Sequence, residues 1–187
     1  MLKKEIRILG IDDAPFDKFK NEEVLIVGTI FRGGNFLDGI LSTKVTIDGD
    51  DATEKLVAMI NSSKFKSQIR AMILDGIAVG GFNIVDIDDL NKKTGIGIIV
   101  VVRKNPNISE MKMALTKINK KEKIKLIENA GDVQKIDSIY IQFKGLDIEV
   151  VREILKLTCT RSHIPEPVRI AHLIASGIVT GESKGRA

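Results

Sequence analysis

The hydrophobic pattern of the first part of the chain is that of extended strands. An apolar run over residues 6–11 ends in two aspartates, a β-branched run covers residues 22–32, and a third run covers residues 36–48. The Gly-Gly-Asn sequence between the second and third runs is a turn signal. The pattern therefore predicts an antiparallel meander of three long strands.

The period then changes, and segments with helical spacing alternate with short apolar runs. The predicted helices are residues 51–63, 86–95, 109–131, 147–161 and 165–178. The further predicted strands are residues 69–74, 96–104 and 137–143, of which the first two are apolar enough to be buried on both faces. This order predicts an α/β fold in which a mixed sheet has an antiparallel edge and a parallel centre and is flanked by helices.

Composition restricts the kind of core and the number of domains. Of the 187 residues, 43% are hydrophobic, but only 4% are aromatic and Trp is absent, so the core must be aliphatic. This length suits one domain, and we expect a single domain over residues 1–187 with a loose tail from about residue 181. Many Lys, Ile and Glu residues with few Gln are typical of a thermophilic source.

Charge and cysteine content limit the binding partners and the cellular compartment that we expect. The net charge of +4 permits a nucleic-acid partner without requiring one. The single cysteine, Cys159, excludes an intrachain disulfide and is interpreted as a small core residue. No apolar run approaches the ~20 residues that span a bilayer. We expect a cytoplasmic protein without a membrane partner, and the apolar first three strands offer an edge for a homodimer.

Acidic residues gather where the predicted strands end. They are Asp12 with Asp13, Asp48 with Asp50 and Asp51, and Asp75. Functional groups of parallel α/β sheets collect outside the carboxyl ends of the strands. Neighbouring carboxylates repel one another unless a cation lies between them, and hard oxygen ligands suit Mg²⁺ or Mn²⁺. Such a metal assists phosphodiester hydrolysis. The pattern predicts a metal-dependent site of this kind.

Each of these aspartates also has a structural interpretation. Asp51 can cap the helix that follows, with Glu54 at the capping-box position. Asp75 and Gly76 can form a plain turn. Asp13 is an alternative metal ligand, or it faces away from the site or bonds the turn around Pro15. For any one residue the structural interpretation is the more common, but three on neighbouring strands of one sheet favour a site.

Several other residues have two interpretations each. The backbone N–H groups of residues 80–83, with Asn83, can approach a phosphate, or the segment is a tight turn into the next helix. Arg169 contacts nucleic-acid phosphate or pairs with an acidic neighbour. The basic segment 119–128 is a phosphate-contacting face or a solvated helix surface. His172, in an apolar helix pattern, is interpreted as a core residue.

Four motifs, in order along the chain, resemble endonuclease V, a nuclease with an RNase H-like fold. They are "GID" after a strand, "ILDG" after a buried strand, "TGIGIIVVVRK" and "IPEPVRIAHLIA". A mostly archaeal relative, family 99 of the domains of unknown function, is more similar still, through "GIDDAPF", "DGDDAT", "LDGIAVGGFNIVD" and "PEPVRIAHLIASG". The resemblance covers nearly the whole chain and implies a metal-dependent nuclease that acts on DNA or RNA.

The resemblance also implies site residues. Asp12 matches the first catalytic aspartate of endonuclease V and Asp75 the later one. The intervening glutamate of that family has no clear counterpart: Asp51 fits by motif, Glu54 by its spacing to Asp75, and Asp48 by its place at a strand end. Asp12, Asp51 and Asp75 are therefore the implied ligands of Mg²⁺ or Mn²⁺.

Basic residues and two departures complete the comparison. Arg103 or Lys104 stands near the position of a lysine that assists the site in endonuclease V. The "PYIPG" wedge of endonuclease V has no counterpart, and its late "GH" is replaced by Gly145 and Leu146, so that the histidine is missing. A catalytically inactive nucleic-acid-binding or regulatory protein on the same fold is therefore the alternative function.

Overall fold

The computed structural model describes residues 3–19 and 22–183. The strands are β1 (Arg7–Asp13), β2 (Glu23–Arg32), β3 (Phe36–Thr46), β4 (Ile69–Asp75), β5 (Ala78–Val79), β6 (Asn83–Ile84), β7 (Gly97–Val102), β8 (Gln134–Ile136) and β9 (Ile139–Lys144). The α-helices are α1 (Ala52–Asn61), α2 (Ile87–Thr94), α3 (Ile108–Lys117), α4 (Ile124–Asn129), α5 (Ile148–Thr158) and α6 (Glu166–Thr180).

Seven strands form one mixed sheet in the order β3-β2-β1-β4-β7-β9-β8. β1 and β3 both pair antiparallel with β2, whereas β4 pairs parallel with β1 and β7 parallel with β4. The predicted fold class, an antiparallel edge with a parallel centre, is confirmed. β9 pairs antiparallel with β7, so the far edge is antiparallel as well. The carboxyl ends of β1, β3, β4 and β7 consequently share one edge of the sheet.

The start of α6 lies directly on β1, and a glycine permits this contact. A Cβ on Gly10 would come within 2.2 Å of the Pro167 carbonyl carbon, closer than atoms can pack. Thr29, opposite Gly10 on β2, donates a hydrogen bond from Oγ1 to the Pro167 carbonyl oxygen at 2.5 Å. These contacts fix where α6 crosses the sheet and hence where its next turns meet the end of β1.

The predicted helix over residues 109–131 is wrong in one respect, because it is broken. Asn119 takes a left-handed φ of 57°, which ends α3, and a 3₁₀ turn at Lys121–Lys123 leads into α4. A solvated basic face was one expectation for this segment, yet Lys123 is only 3% exposed. The chain thus folds back here to bury one of its lysines.

Two smaller features differ from or extend the sequence predictions. β5 and β6 form a two-stranded hairpin that the pattern did not predict, with Gly80 and Gly81 at positive φ in its turn. The predicted loose tail begins where Gly181 ends α6, and residues 184–187 lie outside the described residues. Within the described ranges, no helix is long and apolar enough to cross a membrane.

Cys159, at the end of α5, is half-buried and unsuited to nucleophilic chemistry. Burial raises the pKa of its thiol to about 11, so the reactive thiolate is scarce near neutral pH. Its Sγ contacts the His163 carbonyl oxygen at 3.4 Å. The interpretation of Cys159 as a structural residue therefore agrees with its surroundings.

Candidate active site

The carboxyl end of β1 meets α6 through an aspartate and a histidine. Asp12 is only 5% exposed, and its Oδ1 accepts a hydrogen bond from the Asp13 backbone N–H at 2.8 Å. Its Oδ2 lies 2.9 Å from His172 Nδ1. A buried carboxylate with a histidine partner is a common arrangement at catalytic and metal sites.

Asp75 brings a second carboxylate to the same place, at the end of the neighbouring parallel strand. Burial, together with the nearby charges of Asp75 and Asp13, raises the pKa of Asp12 to about 8. Burial likewise raises the pKa of Asp75, while the positive charges of Arg103 and His172 oppose that shift. The described residues offer the Asp75 carboxylate no hydrogen bond. The site therefore concentrates negative charge that the protein compensates only in part.

Asp13 plays a different role from Asp12. Its Oδ2 accepts a hydrogen bond from the Gly80 backbone N–H at 2.6 Å, and burial raises its pKa. A bond to the turn around Pro15 was one expectation for Asp13, but its partner is the turn of the β5–β6 hairpin. Asp13 thus ties the end of β1 to that hairpin.

The acidic residues that follow β3 form a separate group, which we call the β3–α1 corner (residues 46–51 with Asn83). Asp51 stands at the N-cap position of α1, but its carboxylate makes no cap bond. It accepts hydrogen bonds from Thr46 N, Thr46 Oγ1 and Asn83 Nδ2 at 2.7–3.1 Å. Although burial opposes the shift, these bonds lower the pKa of Asp51. Its oxygens are engaged in holding the corner together.

Asn83 is the hub of this corner and is completely buried. Its Oδ1 accepts from the Ala52 backbone N–H at 3.0 Å, and its Nδ2 donates to the Thr46 carbonyl oxygen at 2.9 Å as well as to Asp51. The side chain has no capacity left for a phosphate. The structure therefore gives Asn83 a structural role in place of the predicted nucleic-acid contact.

The remaining candidates lie in several places. Asp48 accepts a hydrogen bond from the Phe82 backbone N–H at 2.7 Å, and Glu54 is exposed on α1. Arg169 pairs with Glu166 through two contacts of 2.8 Å, so the ion-pair interpretation holds for it. Arg103 and Lys104 are exposed just beyond β7, and only Arg103 is near enough to influence the carboxylates.

His172 is a residue of the candidate site that sequence reasoning did not find. Its apolar neighbours on α6 predicted a core position, and its side chain is 22% exposed and contacts the buried Asp12. The "IPEPVRIAHLIA" motif contained the residue, but only the crossing of α6 over β1 shows that it faces Asp12. The carboxylates therefore have a histidine partner after all, supplied by α6 and not by the segment around Gly145.

The geometry sets what the site can do. In the described part of the chain, no group of three or more Asp, Glu, His or Cys side chains is arranged to hold a metal ion on its own. The buried Asp12 and the half-buried Asp75 nevertheless place two carboxylates at one sheet edge, and oxygen donors suit Mg²⁺ or Mn²⁺. A cation shared with a ligand's phosphate oxygens fits this donor set, since Mg²⁺ seldom relies on protein ligands alone.

Comparisons with known proteins place the chain among archaeal relatives. The model of the endonuclease dU family matches residues 4–179. A UPF0215 protein of Methanothermobacter thermautotrophicus is 50% identical over 191 residues, which cover 100% of this chain and 94% of the relative. A crystal structure of a protein of unknown function from Archaeoglobus fulgidus superposes with a TM-score of 0.88 at 40% identity, over 94% of this chain and 99% of that one.

The similarity to endonuclease V is confirmed at the level of the fold. Endonuclease V of Ciona intestinalis, solved with a 24mer DNA that contains an inosine followed by a ribo-adenosine, superposes with a TM-score of 0.57. The superposition covers 90% of this chain and 83% of that one, at 17% identity. At this identity the two chains share an architecture, and the chemistry has to be argued from the site itself.

Proposed function

We propose that this chain, which belongs to the endonuclease dU family, is a metal-dependent nuclease that cleaves DNA at deoxyuridine. The observation that carries the proposal is the meeting of Asp12, Asp75 and His172 at the carboxyl edge of the sheet. The name of the family indicates the substrate. The DNA complex of the Ciona protein supports a nucleic-acid partner for this fold.

Asp12 and Asp75 are the proposed ligands of Mg²⁺ or Mn²⁺. Burial raises the pKa of both carboxyl groups, and the charge of Asp75 also raises that of Asp12, so the site gains by taking up a cation. When bound, the metal would activate a water molecule and neutralise charge on the scissile phosphate. Asp51, the third ligand implied by the sequence, is left out of this proposal because Thr46 and Asn83 already engage its carboxylate.

His172 and Arg103 have supporting roles in this proposal. His172 donates a hydrogen bond from Nδ1 to ionised Asp12, which orients the carboxylate and favours its charged form. Arg103, exposed beside the carboxylates, offers a guanidinium to an incoming phosphate. Both residues reduce the repulsion between the acidic site and a polyanionic substrate.

Cleavage of oligonucleotides that carry one deoxyuridine tests the proposal. We expect the wild type to cut such DNA with Mg²⁺ or Mn²⁺ and to stop when EDTA is added. Asp12→Asn and Asp75→Asn should each lower the cleavage rate by about 10²–10³-fold or more, as loss of electrostatic stabilisation at a reacting centre does. Asp51→Asn is the matched control and should cut at nearly the wild-type rate.

Calorimetric titration with Mn²⁺ separates metal binding from substrate choice. Binding that Asp12→Asn and Asp75→Asn both weaken, with or without an oligonucleotide, supports a shared site. Equal loss of activity in Asp51→Asn would contradict the division of roles between the two acidic groups. Cleavage that persists in Asp12→Asn would contradict the proposal itself.

A nucleic-acid-binding protein without catalytic activity is the second candidate. The observation that favours it is the lack, among the described side chains, of a three-ligand group for a metal. This candidate predicts that DNA binds equally well with and without divalent metal, and that no metal produces cleavage. The same oligonucleotides, followed by fluorescence anisotropy, distinguish it from the nuclease.

A further inference from the structure

A cleft of about 500 Å³ lies between α5 and the turn that joins β8 to β9. One wall is a single face of α5 with the residue that follows the helix, and it consists of Arg152, Leu155, Lys156 and Cys159. The opposite wall consists of residues 136–139. We call this space the α5 cleft.

The α5 cleft lies on the same face of the sheet as the carboxylates. Ile73 of β4 and Ile139 of β9 belong to one cluster of buried side chains, which also contains Leu155 from the wall of the cleft. Because the side chains of a strand alternate between the two faces, Asp75 points the same way as Ile73, two residues before it. The candidate active site and the cleft are therefore on one side of the sheet.

The register of the sheet gives the distance between the two places. Asp75 pairs with Val101 and Val101 pairs with Ile141, so these residues lie side by side on three neighbouring strands. Ile139, in the wall of the cleft, is two residues nearer the carboxyl edge. With about 4.8 Å between strands and about 3.4 Å per residue, the backbone at Ile139 is about 12 Å from that at Asp75. A B-form strand advances about 3.4 Å per nucleotide, so this span is about three or four nucleotides.

The side chains that line the α5 cleft suit a phosphate. Arg152 and Lys156 are both exposed, and among the described residues neither side chain has an ion-pair partner. Asp137 is the one carboxylate among the described lining residues, so two permanent positive charges stand against one negative charge. Ser138 and His163 also line the cleft and add a hydroxyl and an imidazole as polar groups. Guanidinium and ammonium groups are the donors that phosphate oxygens prefer in proteins.

The candidate active site needs such a contact elsewhere because it is itself acidic. Asp12, Asp13 and Asp75 concentrate negative charge at the ends of β1 and β4, and the positive charge of Arg103 opposes it only in part. A nucleic-acid strand is a polyanion, and contacts from Lys and Arg to its phosphates supply most of the affinity and fix its register. The strand therefore has to be held by cations that lie outside the carboxylate site.

We propose that Arg152 and Lys156 in the α5 cleft bind a backbone phosphate of the nucleic-acid strand, about three or four nucleotides from the bond that is cut. This inference rests on the proposed function, because it assigns the path of the strand whose scissile phosphate lies at Asp12 and Asp75. A phosphodiester carries one negative charge, which matches the excess of one positive charge among the lining residues. On its way the strand passes Arg103, which follows β7, the strand between β4 and β9.

The salt dependence of DNA binding tests this contact without requiring cleavage. Single-stranded oligonucleotides with one deoxyuridine are titrated in Ca²⁺ and followed by fluorescence anisotropy at several salt concentrations. Each neutralised phosphate of a single strand adds about 0.7 to the slope of log affinity against log salt concentration. Arg152→Gln and Lys156→Gln together should lower the slope by about this amount. Between about 50 and about 200 mM salt, the double variant should then lose about 2.5-fold less affinity than the wild type.

Two further proteins keep the result interpretable. Lys55→Gln and Arg70→Gln together remove two exposed cations from α1 and from the amino end of β4, and should leave the wild-type slope unchanged. Arg152→Lys and Lys156→Arg together keep both charges in the cleft and should also keep the slope. A slope that this charge-conserving variant loses as fully as the glutamine variant would mean that packing, and not charge, is responsible, and would overturn the proposal.

An uncharged linkage locates the phosphate. A methylphosphonate placed about three or four nucleotides from the deoxyuridine, on one side, should weaken binding by the wild type. It should leave the variant that carries Arg152→Gln and Lys156→Gln unaffected, because the charge and its partners act as one unit. Linkages that weaken the two proteins equally at every position would overturn the proposal.

The outcomes separate this inference from the proposed function. If the wild type cuts at deoxyuridine and the glutamine variant keeps its slope, the cleft assignment is overturned and the nuclease is left intact. A lower slope in the glutamine variant of a protein that no metal activates would support the cleft and count against the nuclease. An equal drop in the control with Lys55→Gln and Arg70→Gln would reveal a general effect of net charge and overturn the cleft assignment. A wild type that binds no DNA would overturn both.

Discussion

Asp12 and Asp51 both stand near the carboxyl edge of one sheet, yet their surroundings give them opposite properties. Asp12 is buried beside other carboxylates, so its pKa rises to about 8. Asp51 accepts hydrogen bonds from Thr46 and Asn83, which lower its pKa in spite of burial. The protein leaves the charge of the first aspartate poorly compensated and satisfies the second completely. Because of this difference, the site around Asp12 would be stabilised by a bound cation. The site around Asp51 instead holds two parts of the chain together.

The β3–α1 corner even has its own cation, which comes from the protein. The Lys123 ammonium donates to the carbonyl oxygens of Gly49 and Phe82, the latter at 2.7 Å, and lies 2.7 Å from the Asp50 carboxylate. A lysine therefore occupies the centre of this corner, where the end of β1 has only partial compensation from His172 and Arg103. The role of an acidic residue at a strand end can therefore be assigned only once its partners are known.

The largest expected effect on stability comes from the lysine of the corner. Lys123→Met should lower the free energy of unfolding by about 2–3 kcal/mol, because buried carbonyl oxygens lose a charged donor. Lys120→Met is the matched control: Lys120 also pairs with Asp50, but on the surface, and its loss should cost about 0.5 kcal/mol or less. Urea denaturation of both variants measures the difference. Equal losses of unfolding free energy in the two variants would contradict the expected difference between the buried and the surface lysine.

A smaller effect of opposite sign is expected at Asp12. A carboxyl group whose pKa is higher in the folded than in the unfolded protein binds more protons when folded, so stability falls as the pH rises from about 4 to about 8. Asp12→Asn removes this penalty and should raise the free energy of unfolding by about 1–2 kcal/mol at pH 8, with little gain at pH 4. Thermal unfolding in EDTA across this range measures it.

Metal provides the control for that experiment. Mn²⁺ should raise the melting temperature of the wild type and leave that of Asp12→Asn nearly unchanged, since a cation bound at the carboxylates stabilises only the folded state. A gain in Asp12→Asn that stays constant with pH would show that the carboxylate is not under electrostatic strain.

The smallest effect is expected at Asp51, with the opposite dependence on pH. Asp51→Ala should lower the free energy of unfolding by about 1 kcal/mol at pH 7, the net value of a few local hydrogen bonds. Because folding lowers the pKa of Asp51, its contribution is present above the unfolded-state pKa and disappears as the pH falls through the folded-state value. Asp51→Asn, which keeps one acceptor oxygen, should recover part of the loss. If the contributions of Asp51 and Asp12 to the free energy of unfolding changed with pH in the same direction, the proposed difference between the two sites would be contradicted.

The predictions made from periodicity succeeded where local signals and tertiary structure agree. The strands around Asp12 and Asp75 are short apolar runs that can only be buried, and the predicted helix over residues 86–95 ends at Gly95 in the left-handed conformation. The prediction of one helix over residues 109–131 was wrong because helical periodicity does not show that Asn119 can turn the chain. Nor does it show that the Lys123 ammonium contacts four oxygen atoms of residues distant in the chain.

The site was predicted in part for a related reason. Asp12 and Asp75 could be paired from sequence because parallel strands bring their carboxyl ends to one edge. His172 lies 160 residues from Asp12, and its neighbours on α6 are apolar. A histidine in such a pattern is indistinguishable from a core residue until the crossing of the helix is known.

Sequence patterns alone predicted the order and type of most elements, the aliphatic core and the two aspartates that end adjacent strands. These follow from local periodicity and from the general geometry of parallel sheets. Contacts across the fold show which acidic residues are compensated, that His172 faces Asp12, and that Asp13 binds the β5–β6 hairpin. Those properties depend on contacts between residues distant in the chain, and the pKa of a carboxylate is set by such contacts and not by the residues on either side of it.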